Sequence, residues 1–204
     1  SPEMLGGRGK TLHPKLLGGT LARRDLEEDR TDLEANGIGT LDLVVVNLYP
    51  FEETVAKPGV EYAEAIEKID IGGPSMVRSA AKNHAYVGVL SDPGDYAGVL
   101  AELGEKGGLS EATRRRLALK AFRSTARYDA AIQQWLAGEL QEEGEEVFPP
   151  AFIAGLRKVS ALRYGENPHQ GAALYGGFMD AVQQLHGKEL SYNCLLYTSP
   201  SPRD

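Results

Sequence analysis

Three stretches of the chain carry residue types whose spacing could do chemistry. Gly6-Gly7-Arg8-Gly9-Lys10-Thr11 sets two cations and a hydroxyl on a flexible backbone, which suits a phosphate or a carboxamide. The same segment also reads as a solvated basic loop. Ile69-Asp70-Ile71-Gly72-Gly73-Pro74 joins a carboxylate to two glycines at a helix start, where free N–H groups and the positive dipole end can meet ligand oxygens. Asp70 in that position could orient a ligand or simply cap the helix. Lys82, twelve residues on, is either a functional cation or a complement to the helix dipole. Tyr49, following Asn47-Leu48, offers a hydroxyl or fills core.

Several chemistries are excluded by spacing. The glycine that a P-loop requires upstream of Gly9-Lys10-Thr11 would fall where Met4 stands, and no strand precedes the loop. His13, His84, His169 and His186 have no metal-ligand spacing, and Cys194 is the sole cysteine, so no metal centre is expected. Neither a Gly-x-Ser-x-Gly elbow nor a Rossmann fingerprint occurs.

These residues need elements to position them. Leu5 to Thr20 holds too many glycines for a stable helix and predicts a loop leading into a short turn. Arg23 to Glu34 alternates charges at helical spacing and predicts an exposed helix. Leu41 to Asn47 is a β-branched run without polar alternation, which predicts a strand buried on both faces of a parallel sheet. Tyr62 to Ile69 predicts a short helix with Ala63, Ile66 and Ile69 inward, and Pro74 to Asn83 another with Pro near its first turn. Ala85 to Leu90 reads as the next strand, and Asp92-Pro93 opens the following helix. Ser110 predicts the N-cap of a long helix reaching about Leu140, with Leu117, Ala121, Tyr128 and Ile132 on its apolar side.

After the acidic stretch Glu139 to Glu146, Leu156 to Tyr164 reads as a strand followed by a turn at Gly165 to His169. Strands alternating with helices predict an α/β fold with an open parallel sheet and helices on both faces. In such sheets, ligands sit beyond the carboxyl ends of the strands. Asn47-Leu48-Tyr49 and Asp70 to Gly73 fall there.

Composition bounds the partners. The 204 residues carry 22 basic and 29 acidic side chains, a net charge of −7 that argues against a duplex nucleic acid. No run approaches the roughly 18 apolar residues of a membrane span. One cysteine makes no internal disulfide, and no signal sequence opens the chain, so a cytoplasmic protein is expected. Ser1 begins close to the loaded loop, so upstream elements are expected. Residues 197–204, with two prolines in three positions and no apolar period, read as a disordered tail, and residues 194–204 are expected to be non-native, with a native flexible terminus as the alternative.

Seven ordered motifs then carry a resemblance. They are Gly7 to Lys15, Asp42 to Phe51, Ile69 to Pro74, Ala80-Ala81-Lys82-Asn83, Lys120-Ala121-Phe122, Leu162 to Gln170 and Gly187 to Asn193. Together they resemble the bifunctional purine-biosynthesis family that combines IMP cyclohydrolase with AICAR transformylase. The resemblance implies that residues 1–146 are a cyclohydrolase domain, methylglyoxal-synthase-like and truncated at its N-terminus. Residues 152–193 would then begin the transformylase domain.

By the same resemblance, Lys10, Tyr49, Asp70 and Lys82 are catalytic, and Arg8, Thr11, Asn47, Ile71 and Gly72 bind substrate. Asp70 and Lys82 would serve the reacting nitrogen and the departing hydroxyl. Arg163 and Tyr164 match positions that contact the AICAR nucleotide. The implied substrate is a purine nucleotide, with 10-formyltetrahydrofolate as co-substrate of the transformylase and no cofactor or metal for the cyclohydrolase. A homodimer is implied, and neither nucleic acid nor membrane. With the first strands missing, this fragment is expected to have weak activity or none. The alternative is a regulatory ligand-binding methylglyoxal-synthase-like domain, against which the second-domain motif Leu162 to Gln170 counts.

Overall fold

A computed structural model describes residues 11–140, 153, 155–156, 158–162, 169 and 171–176. The chain forms two compact units, Ser1–Ile153 and Ala154–Asp204.

In the first unit, α1 (Pro14–Leu21) starts with His13, whose ring Nδ1 accepts the Lys15 N–H at 3.1 Å. This helix corrects the loop expected through Thr20. A Cβ on Gly19 would lie 2.3 Å from the Gly39 carbonyl oxygen, and one on Gly18 would lie 3.3 Å from Ile38. The glycines therefore allow a close approach of segment 38–41, sealed by the Leu41 N–H donating to Gly19 O at 2.9 Å. Tertiary contact outweighs the roughly 1 kcal/mol per glycine that weakens an isolated helix.

α2 (Glu27–Ala35) has no buried residue, as expected, but starts four residues later than the charge pattern suggested. Arg23 instead turns back on Asp29, donating from its backbone N–H at 2.7 Å and from its guanidinium at 2.8 and 3.0 Å. Those bonds hold the Asp29 carboxyl at about 2.

β1 (Leu43–Val45) and β2 (Gly88–Leu90) pair in parallel, with Val44 opposite Val89. All of β2 is buried. β1 is not buried on both faces as its run of apolar residues suggested: Val44 is buried, while Val45 is 51% exposed. The connection between the strands carries three helices, α3 (Phe51–Val55), α4 (Tyr62–Glu67) and α5 (Gly72–Lys82). In α4 the buried position is Ala65, with Ala63 exposed and Ile66 half-buried, because the helix is only six residues long and leans on one position.

Beyond β2, a 3₁₀ turn (Pro93–Asp95) leads into α6 (Tyr96–Lys106), which ends on Gly107 at φ 67°. That left-handed cap is where glycine costs least. α7 (Glu111–Glu139) begins at Ser110, whose hydroxyl accepts the Thr113 N–H, and ends at Leu140, as its sequence signals indicate. Val77, Ala80 and Ala81 of α5 and Leu117, Ala118 and Ala121 of α7 close over Val44, Val87, Val89 and Leu90. Small residues on the facing helices let their backbones come close, and removing each Val or Leu from water stabilises by about 1.5–3 kcal/mol.

The second unit contains β3 (Lys158–Leu162) and β4 (Ala172–Tyr175), paired antiparallel with Leu162 opposite Ala172. The expected strand from Leu156 is observed in its central part, and His169 lies in a turn. Among the described residues, no helix is long and apolar enough to cross a membrane.

Candidate functional site

The first turn of α5 organises the site. The Asp70 carboxylate accepts the Gly73 N–H at 2.8 Å through Oδ1 and the Tyr49 N–H at 3.4 Å through Oδ2. It therefore caps the helix, and it also ties the segment after β1 to the start of α5. A carboxylate has about four acceptor positions, so capping leaves room for a ligand donor. Gly73 N–H is taken and Pro74 has none, which leaves the Ile71 and Gly72 N–H groups as the first-turn donors for an incoming oxygen.

A side chain on either glycine would displace its neighbours. A Cβ on Gly72 would sit 1.8 Å from Thr11 Oγ1, and one on Gly73 would sit 2.3 Å from Asp70 Oδ2. The first of these contacts packs Thr11 against the α5 start. Asn47 and Tyr49 follow β1 at its carboxyl end, both exposed, Tyr49 at 55%. Asn47 Nδ2 donates to Tyr96 Oη at 3.3 Å. Thr11, Asn47, Tyr49, Asp70, Ile71 and Gly72 thus gather around one edge of the sheet.

Lys82 does not join them. It is the last residue of α5, about 15 Å of helical rise from Gly72 at the other end. Asp70 and Lys82 therefore flank opposite ends of α5. Asn83 beside it is buried, and its Nδ2 donates to the carbonyls of Thr20 and Ala22 at 2.8 and 3.0 Å. α1 therefore runs alongside α5 in the same direction, with Thr11 at one end and Thr20 at the other. Arg8, Lys10, Arg163 and Tyr164 lie outside the described residues.

Two tyrosines at this edge were missed as site residues. Tyr96 reaches Asn47, as above. Tyr128, read from sequence only as core of α7, accepts the Asp70 N–H at 2.8 Å and donates to Lys68 O at 3.1 Å. The available signal was chemical: a tyrosine on a buried helical face must find a partner for its hydroxyl.

The opposite rim of the sheet is organised differently. A cavity of about 470 Å³ there is lined by Arg24, Leu43, Tyr86, Leu109 and Arg114 among others. Arg24 pairs with Asp42 at 2.6 Å, and Tyr86 Oη donates to Asp25. That bond lowers the Asp25 carboxyl and raises the Tyr86 phenol. Arg114 donates to the carbonyls of His84, Leu109 and Ala85 at 2.9, 2.5 and 2.8 Å. Among the described residues, no group of acidic, histidine and cysteine side chains could hold a metal ion.

Comparison with known proteins fits this geometry. The sequence profile of the AICARFT/IMPCHase bienzyme matches residues 80–200, and that of the MGS-like domain matches residues 1–75. The bifunctional purine biosynthesis protein PurH of Bacillus cytotoxicus is 53% identical over 198 residues, covering 94% of this chain and 38% of that protein. PurH of Bacillus cereus strain B4264 is 54% identical over the same shares. The chain thus spans about 38% of the length of these relatives. The crystal structure of ForH superposes with a TM-score of 0.58 at 42% identity, covering 66% of this chain and 70% of that one.

Proposed function

The chain belongs to the AICARFT/IMPCHase bienzyme family, and from that premise we propose that its first unit carries the cyclisation of formyl-AICAR to IMP. The carboxamide nitrogen adds to the formyl carbon, a C–N bond forms, and the former formyl oxygen leaves as water once the nitrogen has lost its proton. Such a ring closure needs a folded substrate, proton transfers and stabilisation of a developing oxyanion.

The observation that carries the reading is the convergence of Thr11, Tyr49 and Asp70 on the first turn of α5, with Gly72 bare of a side chain there and Asn47 two residues before Tyr49. Asp70 is oriented to accept a proton or hold the carboxamide. Tyr49 supplies an exposed hydroxyl. The Ile71 and Gly72 N–H groups face substrate oxygens. Lys10 and Arg8 are proposed to hold the substrate and polarise the formyl oxygen. Lys82, a helix length away, would meet a distal part of the ligand.

The same reading extends beyond the cyclisation. Residues 1–146 form the cyclohydrolase part and residues 152–193 begin the transformylase part, with Arg163 and Tyr164 on the AICAR nucleotide. In the whole protein, 10-formyltetrahydrofolate would donate the formyl group, the assembly would be a homodimer, and the location would be the cytoplasm.

The test follows IMP formation from formyl-AICAR by this chain set within the full length of a PurH relative, and by variants of that protein. Asp70→Ala and Lys10→Ala are each expected to lower turnover by about a hundredfold or more, the scale of a lost proton-transfer or oxyanion group. Wild-type turnover surviving both substitutions would sink the assignment.

A further inference from the structure

We infer that Tyr128 is a positioning residue that sets the direction of the Asp70 carboxylate, a role that rests on the cyclisation reading above. Its phenol lies 58 residues from Asp70 in sequence, yet its oxygen accepts the Asp70 N–H at 2.8 Å and donates to the Lys68 carbonyl at 3.1 Å. One hydroxyl therefore satisfies both polar backbone groups of the turn that aims Asp70 at the start of α5.

The ring is held as firmly as its oxygen. Tyr128 is buried, at 7% exposure, and meets Phe51 edge-on with centroids 6.2 Å apart. Phe51 is itself fully buried and packs edge-on against Trp135 at 5.5 Å, and Trp135 stacks on Tyr62 of α4 at 5.4 Å. Phe51 continues the segment that carries Tyr49, and α4 leads into the segment that carries Asp70. Tyr128 thus touches both pieces of chain that build the site: Phe51 through its ring and residues 68–70 through its hydroxyl.

Burial pushes the phenol pKa up, which keeps the proton that the bond to Lys68 O requires. Loss of the hydroxyl leaves two backbone groups without partners while the ring packing survives. The turn can then shift, and displacement of a reacting group by about 1 Å costs up to a hundredfold in rate.

The experiment is Tyr128→Phe in this chain set within the full length of a PurH relative, read by cyclisation kinetics, thermal unfolding and amide hydrogen exchange. Expected is a fall in kcat of about ten- to a hundredfold with KM within about twofold, because substrate contacts elsewhere persist. Exchange at the Asp70 and Gly73 amides is expected to accelerate, with α7 amides unchanged. Turnover of the Phe variant within about twofold of an active wild type would overturn the role. So would unchanged exchange at Asp70, or a loss that appears only as a lower Tm. If the wild-type chain set within the full length of a PurH relative makes no IMP, the cyclisation reading falls and takes this role with it, an outcome distinct from an active wild type with an active Phe variant.

Discussion

At the carboxyl end of β1, Asn47 and Tyr49 are exposed and Asp70 is aimed by backbone and by Tyr128. Before the amino ends of the two strands, charged groups just as numerous are consumed by the chain itself. Arg114 spends its donors on three carbonyls, Arg24 on Asp42 and the Leu41 carbonyl, and Tyr86 on Asp25. The second rim holds a cavity of about 470 Å³ and the shifted Asp25 and Tyr86, yet it works as a clasp joining the segments that enter β1 and β2 to α7. Perturbed pKa values mark structural networks as readily as functional ones. What separates the two rims is whether polar groups retain unused donors and acceptors toward solvent.

The contrast can be broken by substitution. Asp70→Ala should give the largest effect, with IMP formation reduced by about a hundredfold or more and a smaller loss of stability. Arg114→Ala should do the reverse. Leaving three carbonyls without their donor is expected to cost about 2–3 kcal/mol in denaturant unfolding, with turnover of the folded fraction within about twofold of wild type. If Arg114→Ala abolished turnover while the protein stayed folded, the two rims would not be separate in function.

Glu102 gives a pH-resolved version of the clasp. It accepts from the Thr113 hydroxyl at 2.6 Å and the Ser110 N–H at 2.9 Å, binding α6 to the N-cap of α7, and these bonds hold its carboxyl at about 2. A folded-state pKa below the unfolded one stabilises above the unfolded value, here near 4.5, and that contribution is lost as the pH falls toward 2. Glu102→Gln is therefore expected to flatten the acid limb of Tm against pH in that window, and an unchanged limb would show that the carboxylate matters little there. Lys82→Ala should change least, with stability within about 0.5 kcal/mol, as for an exposed side chain on a helix end. Its effect on turnover should fall well short of that of Asp70→Ala. An equal loss would mean that the site is closed by more than the single-chain arrangement.

Local signals read correctly wherever one residue decides the structure. Ser110 caps α7, Asp92 accepts the Gly94 N–H before α6, and the β-branched run around Val44 forms a strand paired in parallel with β2. They misled at α1, because the propensity of glycine describes an isolated helix and not one pressed against Gly39. They also misled at β1, since an apolar run does not reveal which face other chain segments cover. Of the site, the Asp70-Gly72-Gly73 turn and the Asn47-Tyr49 edge were legible because glycine, a carboxylate and a helix start leave a local pattern.

The sequence by itself determined the family, the alternation of strands and helices, and the residue types available at the sheet edge, because motifs and periodicity are properties of neighbouring positions. Only the tertiary structure decided that Asp70 and Lys82 stand a helix length apart, that Thr11 rests on Gly72, and that Tyr128 grips the Asp70 turn. The physical reason is the same in each case. A helix's rise fixes how far apart its two ends stand, while packing between distant segments chooses which side chain satisfies a buried polar group, and neither quantity is a matter of residue type.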